Sequence, residues 1–105
     1  MEQPNLSYIQ KLSRGDKNFE QILINIIKTE FPVEKTTYFK NINNLNFKKT
    51  AESVHKLKHK ISILGLEKGY DKASNFEHNL IDNSLNGQED FEFILLTITN
   101  YLKIN

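Results

Sequence analysis

The sequence predicts an all-α fold, an antiparallel four-helix bundle with a short additional N-terminal helix. Three observations carry that prediction. Apolar residues recur at spacings of three and four in four long segments, as in helices with one buried face. No segment sustains the two-residue alternation of a half-buried strand. Only four glycines and two prolines are spread over 105 residues, too few for the repeated tight turns of an all-β domain. Short loops between long helices make sequential helices antiparallel neighbours.

The first helix, 6–13, places Leu6, Ile9 and Leu12 on one side and is broken by Arg14-Gly15-Asp16. Asp16 is suited to cap the second helix, because its short carboxylate can accept from the free N–H groups of a first turn. That helix, 17–43, takes Phe19, Ile22, Leu23, Ile26, Ile27 and Phe31 as its core face. Pro32 lacks an N–H, so a kink or interruption is expected there, with the pattern resuming at Tyr38, Phe39 and Ile42. A cluster of asparagines, Asn41, Asn43, Asn44 and Asn46, marks the next turn.

Asn46 caps the third helix, 47–64, whose Phe47, Ala51, Val54, Leu57, Ile61 and Leu64 share one side. Gly65 is the natural stop, since glycine enters the left-handed region without steric penalty. The fourth helix, 67–83, turns Tyr70, Ala73, Phe76, Leu80 and Ile81 inward. Asn86-Gly87 is a turn. The fifth helix, 90–104, opens among acidic residues that suit its dipole and buries Phe91, Ile94, Leu95, Ile98, Tyr101 and Leu102.

The length suits one domain, residues 1–105. With 38% hydrophobic and 26% charged residues the chain reads as a soluble globule. A formal net charge of +1, with both signs interspersed, argues against nucleic acid as the main partner. The absence of cysteine excludes disulfides and thiolate chemistry. Neither a signal peptide nor a membrane span is recognisable, so a cytoplasmic protein is expected, and a single nearly neutral bundle suggests a monomer.

The chemistry concentrates in the third helix. At about 100° per residue, His55 stands roughly 130° from the centre of the apolar side set by Val54, Leu57, Ile61 and Leu64. It is therefore expected at the solvent boundary, with Lys58 three residues on and within reach. His59 points still further out, and Ala51, Ser62 and Leu66 lie on the strip that contains His55, with Ile63 turned out beside His59. A neutral imidazole in water is a usable nucleophile near pH 7. A phosphoryl group on it would sit where Lys58 can offer a charge-assisted hydrogen bond.

His55-Lys56-Leu57-Lys58, followed by Leu64-Gly65, resembles the signature of histidine phosphotransfer domains, His-x-Leu-Lys-Gly with a later apolar-Gly pair. Leu6-Ser7-Tyr8-Ile9 with Gly15-Asp16 looks like that family's opening helix and turn, and Phe76-Glu77 like its Leu-Glu pair. The resemblance covers roughly residues 6–85. It implies a phosphocarrier of a two-component phosphorelay, without kinase or nucleotide-binding machinery. His55 would exchange a phosphoryl group with an aspartate of a response-regulator receiver domain, or receive it through a hybrid histidine kinase. Lys58 would steady the phosphoryl group. No cofactor is implied on this chain, and Mg²⁺ would belong to the receiver. His59 stands where the family has glycine, and Lys60 and Ile61 where it has small residues. That departure places His59 and Ile63, with Ala51, Ser62 and Leu66, among the expected receiver contacts.

Two other readings bear on the same residues. His55 and His59, four apart on one helix, have a chelating spacing, but Lys56 replaces the glutamate of the zinc-protease motif and the neighbouring lysines repel a cation. The alternative function is a helical adaptor that docks receiver or other signalling proteins and carries no phosphate.

Overall fold

The computed structural model describes residues 2–104, with the side chain of Ile104 left aside. Five helices follow in order: α1 (Ser7–Ser13), α2 (Lys17–Asn43), α3 (Phe47–Ile63), α4 (Glu67–Ile81) and α5 (Gln88–Ile104). No strand occurs among the described residues. The molecule is elongated, 44 × 24 × 20 Å, and α2 touches α1, α3 and α5, while α4 touches α3 and α5.

The capping residues act as their chemistry requires. Asp16 accepts from the Phe19 N–H at 3.0 Å, and Asn46 from the Lys49 N–H at 3.1 Å. Gly65 ends α3 with φ +80°, and a Cβ there would come within 2.5 Å of the Asn5 side chain. The Asn5 N–H in turn donates to the Leu64 carbonyl, and the Glu2 carboxylate accepts from the N–H groups of Lys68 and Gly69. The leading arm thus seals the α3–α4 turn and caps α4, which has no cap from its own preceding residue.

Several boundaries and faces differ from the sequence prediction. α2 keeps its predicted bounds, Lys17–Asn43, and Pro32 lies inside it without interrupting it, with Phe31 and Tyr38 buried on either side of the proline and anchoring both halves. α4 stops at Ile81 because Asn83 turns left-handed (φ 61°) and the Ser84 N–H bonds back to the Asn79 carbonyl. α5 begins earlier than expected, at Gln88, where Gly87 offers its carbonyl to the Phe91 N–H. Of the six apolar residues assigned to the core side of α2, only Ile27 and Phe31 are buried and Leu23 is half-buried. Phe19, Ile22 and Ile26 face solvent, as do Ile81 and much of Tyr70 on α4.

The core is continuous from Ile9 to Ile98. Its aromatic centre is Tyr38, Phe76 and Phe91, with ring centroids 5.1–6.4 Å apart. The Tyr38 hydroxyl donates to Glu92 at 2.9 Å; burial, with that carboxylate alongside, pushes its pKa far above the ordinary range. α3 is the most firmly held helix. Val54, Leu57 and Ile61 have no exposed surface, each worth about 1.5–3 kcal/mol of burial. Lys60 adds a polar clamp to α2, with Nζ 2.9 Å from Glu30 and 3.3 Å from Glu34.

Candidate functional site: a histidine held between two helices

A helix anchored this firmly presents its remaining side chains in fixed directions. His55 is on the open side of α3 with 55% of its side chain exposed, as the helical wheel predicts. Its Nδ1 lies 3.0 Å from Oε2 of Glu77 on α4. Glu77 follows the fully buried Phe76, which seats that turn of α4 against the core. The carboxylate is itself four-fifths buried. Its other oxygen, Oε1, has no accessible surface and no aligned hydrogen bond, and its compensation is the Lys58 ammonium 2.9 Å away.

Lys58 is therefore not a free lysine beside His55. Its side chain is 12% exposed, paired with Glu77, and its Nζ stands 5.3 Å from the Tyr70 ring centroid. His55, Glu77 and Lys58 form one connected group across α3 and α4. His59, one turn after His55 and exposed, sets its ring perpendicular to that of His55, with centroids 5.2 Å apart.

The expected docking strip needs correction at two positions. Ala51 is buried, 6% exposed, because α3 packs on both α2 and α4 and its open arc is narrower than a helix lying on one neighbour would have. Leu66 is buried, 3% exposed, because the chain has left the helix at Gly65 and wheel arithmetic no longer applies beyond it. Ser62 and His59 are exposed, and Ile63 is half-buried against the core. Beside His55 runs a shallow groove with Ala51, Leu80 and Ile81 as its apolar lining and His55 and Glu77 at its edge.

Chemically, the arrangement selects a tautomer. A carboxylate at Nδ1 favours the proton there, which leaves Nε2 with the lone pair on a largely exposed ring. The group can thus supply a nucleophile or base at Nε2 and a carboxylate to balance positive charge developing on the ring. No group of three or more His, Cys, Asp or Glu suited to a metal ion occurs among the described residues.

Sequence reasoning placed His55 and Lys58 together but gave Glu77 no role of its own. Its sequence signals are its position directly after an apolar core residue on the following helix and the likeness of Phe76-Glu77 to a Leu-Glu pair, neither of which assigns it a partner. Which α3 side chains it meets depends on the register between two helices. No helix among the described residues is long and apolar enough to cross a membrane. Comparison with known protein families, with curated proteins and with solved structures finds no match.

Proposed function

We propose that the protein is a phosphocarrier in which His55 Nε2 accepts a phosphoryl group from an aspartyl phosphate of a receiver domain and returns it. The observation that carries this reading is the single carboxylate of Glu77 shared between His55 Nδ1 and Lys58. As Nε2 attacks, the N–P bond forms while the P–O bond to the receiver's aspartate breaks, and that carboxylate leaves on the receiver. Glu77 offsets the positive charge that grows on the imidazole and keeps the ring oriented. Lys58, already adjacent, can then turn from Glu77 to the new phosphoryl oxygens. The receiver supplies Mg²⁺ and most of the charge stabilisation, so this chain positions and presents.

In this reading α2 to α5 form an antiparallel four-helix bundle, to which α1 is an addition. The cyclic order of helix contacts, α2–α3–α4–α5 and back to α2, supports it. The receiver docks over His55 and His59, with Ser62 and Ile63 at the edge, in a cytoplasmic setting. A specific observation also favours the adaptor reading: the apolar groove beside His55 would seat a partner side chain whether or not phosphate moves.

Incubation with a phosphorylated receiver, or with a kinase-receiver chain, separates the two. Acid-labile, base-stable label on the wild type that is absent from His55→Gln is the result expected of the carrier. Receiver binding without label in either protein would leave the adaptor.

A further inference from the structure

The outer face of α2 is left largely open by the described residues. Phe19, Ile22, Ile26, Thr29 and Val33 recur at intervals of three, four, three and four, and all five are exposed. That alternation is the a/d pattern by which one helix meets another. The four apolar members are 42–65% exposed, whereas an outer helix face in a chain with 26% charged residues ordinarily carries ions.

Here it carries almost none. The flanking positions Asn18, Asn25, Thr36 and Thr37 are uncharged. Between residues 18 and 37 the one ionised side chain on this face is Glu30, already paired with Lys60 at 2.9 Å. The threonines are turned inward on themselves: Thr29, Thr36 and Thr37 each donate their hydroxyl to the carbonyl four residues back, at 2.9, 2.9 and 3.1 Å. With their hydroxyls so engaged, these exposed threonines add no charge to the strip.

We infer that this strip is the contact surface for a second copy of the same chain, α2 against α2 about a two-fold axis. A face without charge selects a partner face without charge, and the same strip on another copy meets that requirement. A net charge of +1 puts little long-range repulsion in the way. From Phe19 to Val33 the strip is about 21 Å long, and about 27 Å when Thr36 and Thr37 extend it, at 1.5 Å per residue. Two such strips bury on the order of 1,000 Å² in total, at the low end of specific interfaces. The dimer is accordingly weak and concentration-dependent, with dissociation on the order of 10–100 µM. None of these residues touches the His55 group, so the association stands apart from phosphoryl transfer.

Sedimentation equilibrium from about 10 µM to about 1 mM tests it. The expected result is a weight-average mass climbing from 12.3 kDa toward twice that value. The double variant Ile22→Glu/Ile26→Glu should stay at the monomer mass with unchanged helicity by circular dichroism, since both positions are exposed. Leu96→Glu, an equally exposed apolar position on α5, should associate like the wild type. A wild type that stays at 12.3 kDa throughout overturns the inference. So does association that survives the double variant, or that is lost in Leu96→Glu alone.

Discussion

Lys58 Nζ and His55 Nδ1 reach the same carboxylate from the same helix, at 2.9 Å and 3.0 Å, one to each oxygen of Glu77. A lysine and a histidine three residues apart on α3 are thereby fixed to α4 by one acceptor. This couples the protonation pattern of the ring to the packing of two helices.

Glu77→Ala separates those consequences. The Nδ1–H tautomer of His55 should lose population, read from its imidazole ¹⁵N shifts, and phosphorylation should slow by on the order of tenfold or more. Lys58, 12% exposed in the intact protein, would be left without a counter-ion, at a cost of about 1–3 kcal/mol in denaturant unfolding. Lys58→Ala should cost a similar amount. The double variant should cost clearly less than the two singles added, as it must when both report one pair. Simple additivity would dissolve the pair.

His59→Gly probes the departure from the expected glycine. The side chain is exposed, so the helix should lose only about 0.5 kcal/mol, because glycine's penalty of about 1 kcal/mol is relative to alanine and histidine is already a weak helix former. Affinity for a receiver, measured by titration calorimetry, should change by a larger factor than folding does. A variant that unfolds would contradict the exposed position of His59 in α3.

Lys60 predicts an alkaline limit to stability. Burial alone pushes its pKa down, but the hydrogen bonds and charges of Glu30 and Glu34 outweigh that, so the pKa is raised above the ordinary 10.5. Folding therefore favours the protonated form. Its contribution is present in full below about pH 10.5 and is lost as pH rises through the folded-state value. Lys60→Met should lower stability by about 1–3 kcal/mol at neutral pH, because Glu34 Oε2 and Glu30 Oε1 lose the ammonium they share and Glu34 Oε1 is already without a partner. The variant's urea midpoint should also fall less steeply than that of the wild type above pH 10.5.

Gly65→Ala should be among the costlier small substitutions. The residue sits at φ +80°, and a Cβ would drive into Asn5. Left-handed strain of about 1–2 kcal/mol adds to displacement of the arm that caps α4 through Glu2. A thermal unfolding midpoint lowered by several degrees checks it. Glu2→Gln should reproduce only the smaller, capping part of the loss.

Much of this was legible in the sequence, for a physical reason in each case. Asp16, Asn46 and Gly65 act within one helical turn of their own position, so local chemistry suffices to place the helix ends. His55 could be placed at the solvent boundary because Val54, Leu57 and Ile61 define the buried side of α3 without ambiguity. Phe19, Ile22 and Ile26 misled, since apolar spacing reveals a face and not what covers it. Ala51, at the edge of the wheel, could be counted with the apolar side or with the docking strip, and packing on two neighbours decides for the former; Leu66 misled because a wheel assumes an unbroken helix. Glu77 could not be assigned because its role exists only in the register between α3 and α4.

Tyr38 has a practical consequence. The chain contains no tryptophan and four tyrosines, of which Tyr38 alone is fully enclosed, its hydroxyl bonded to a carboxylate. Its fluorescence and near-ultraviolet dichroism should therefore differ sharply between the packed and the loosened core. It offers a native optical reporter, with no dye or engineered residue, for whether an altered His55, Glu77 or Lys58 has changed chemistry alone or the interior as well.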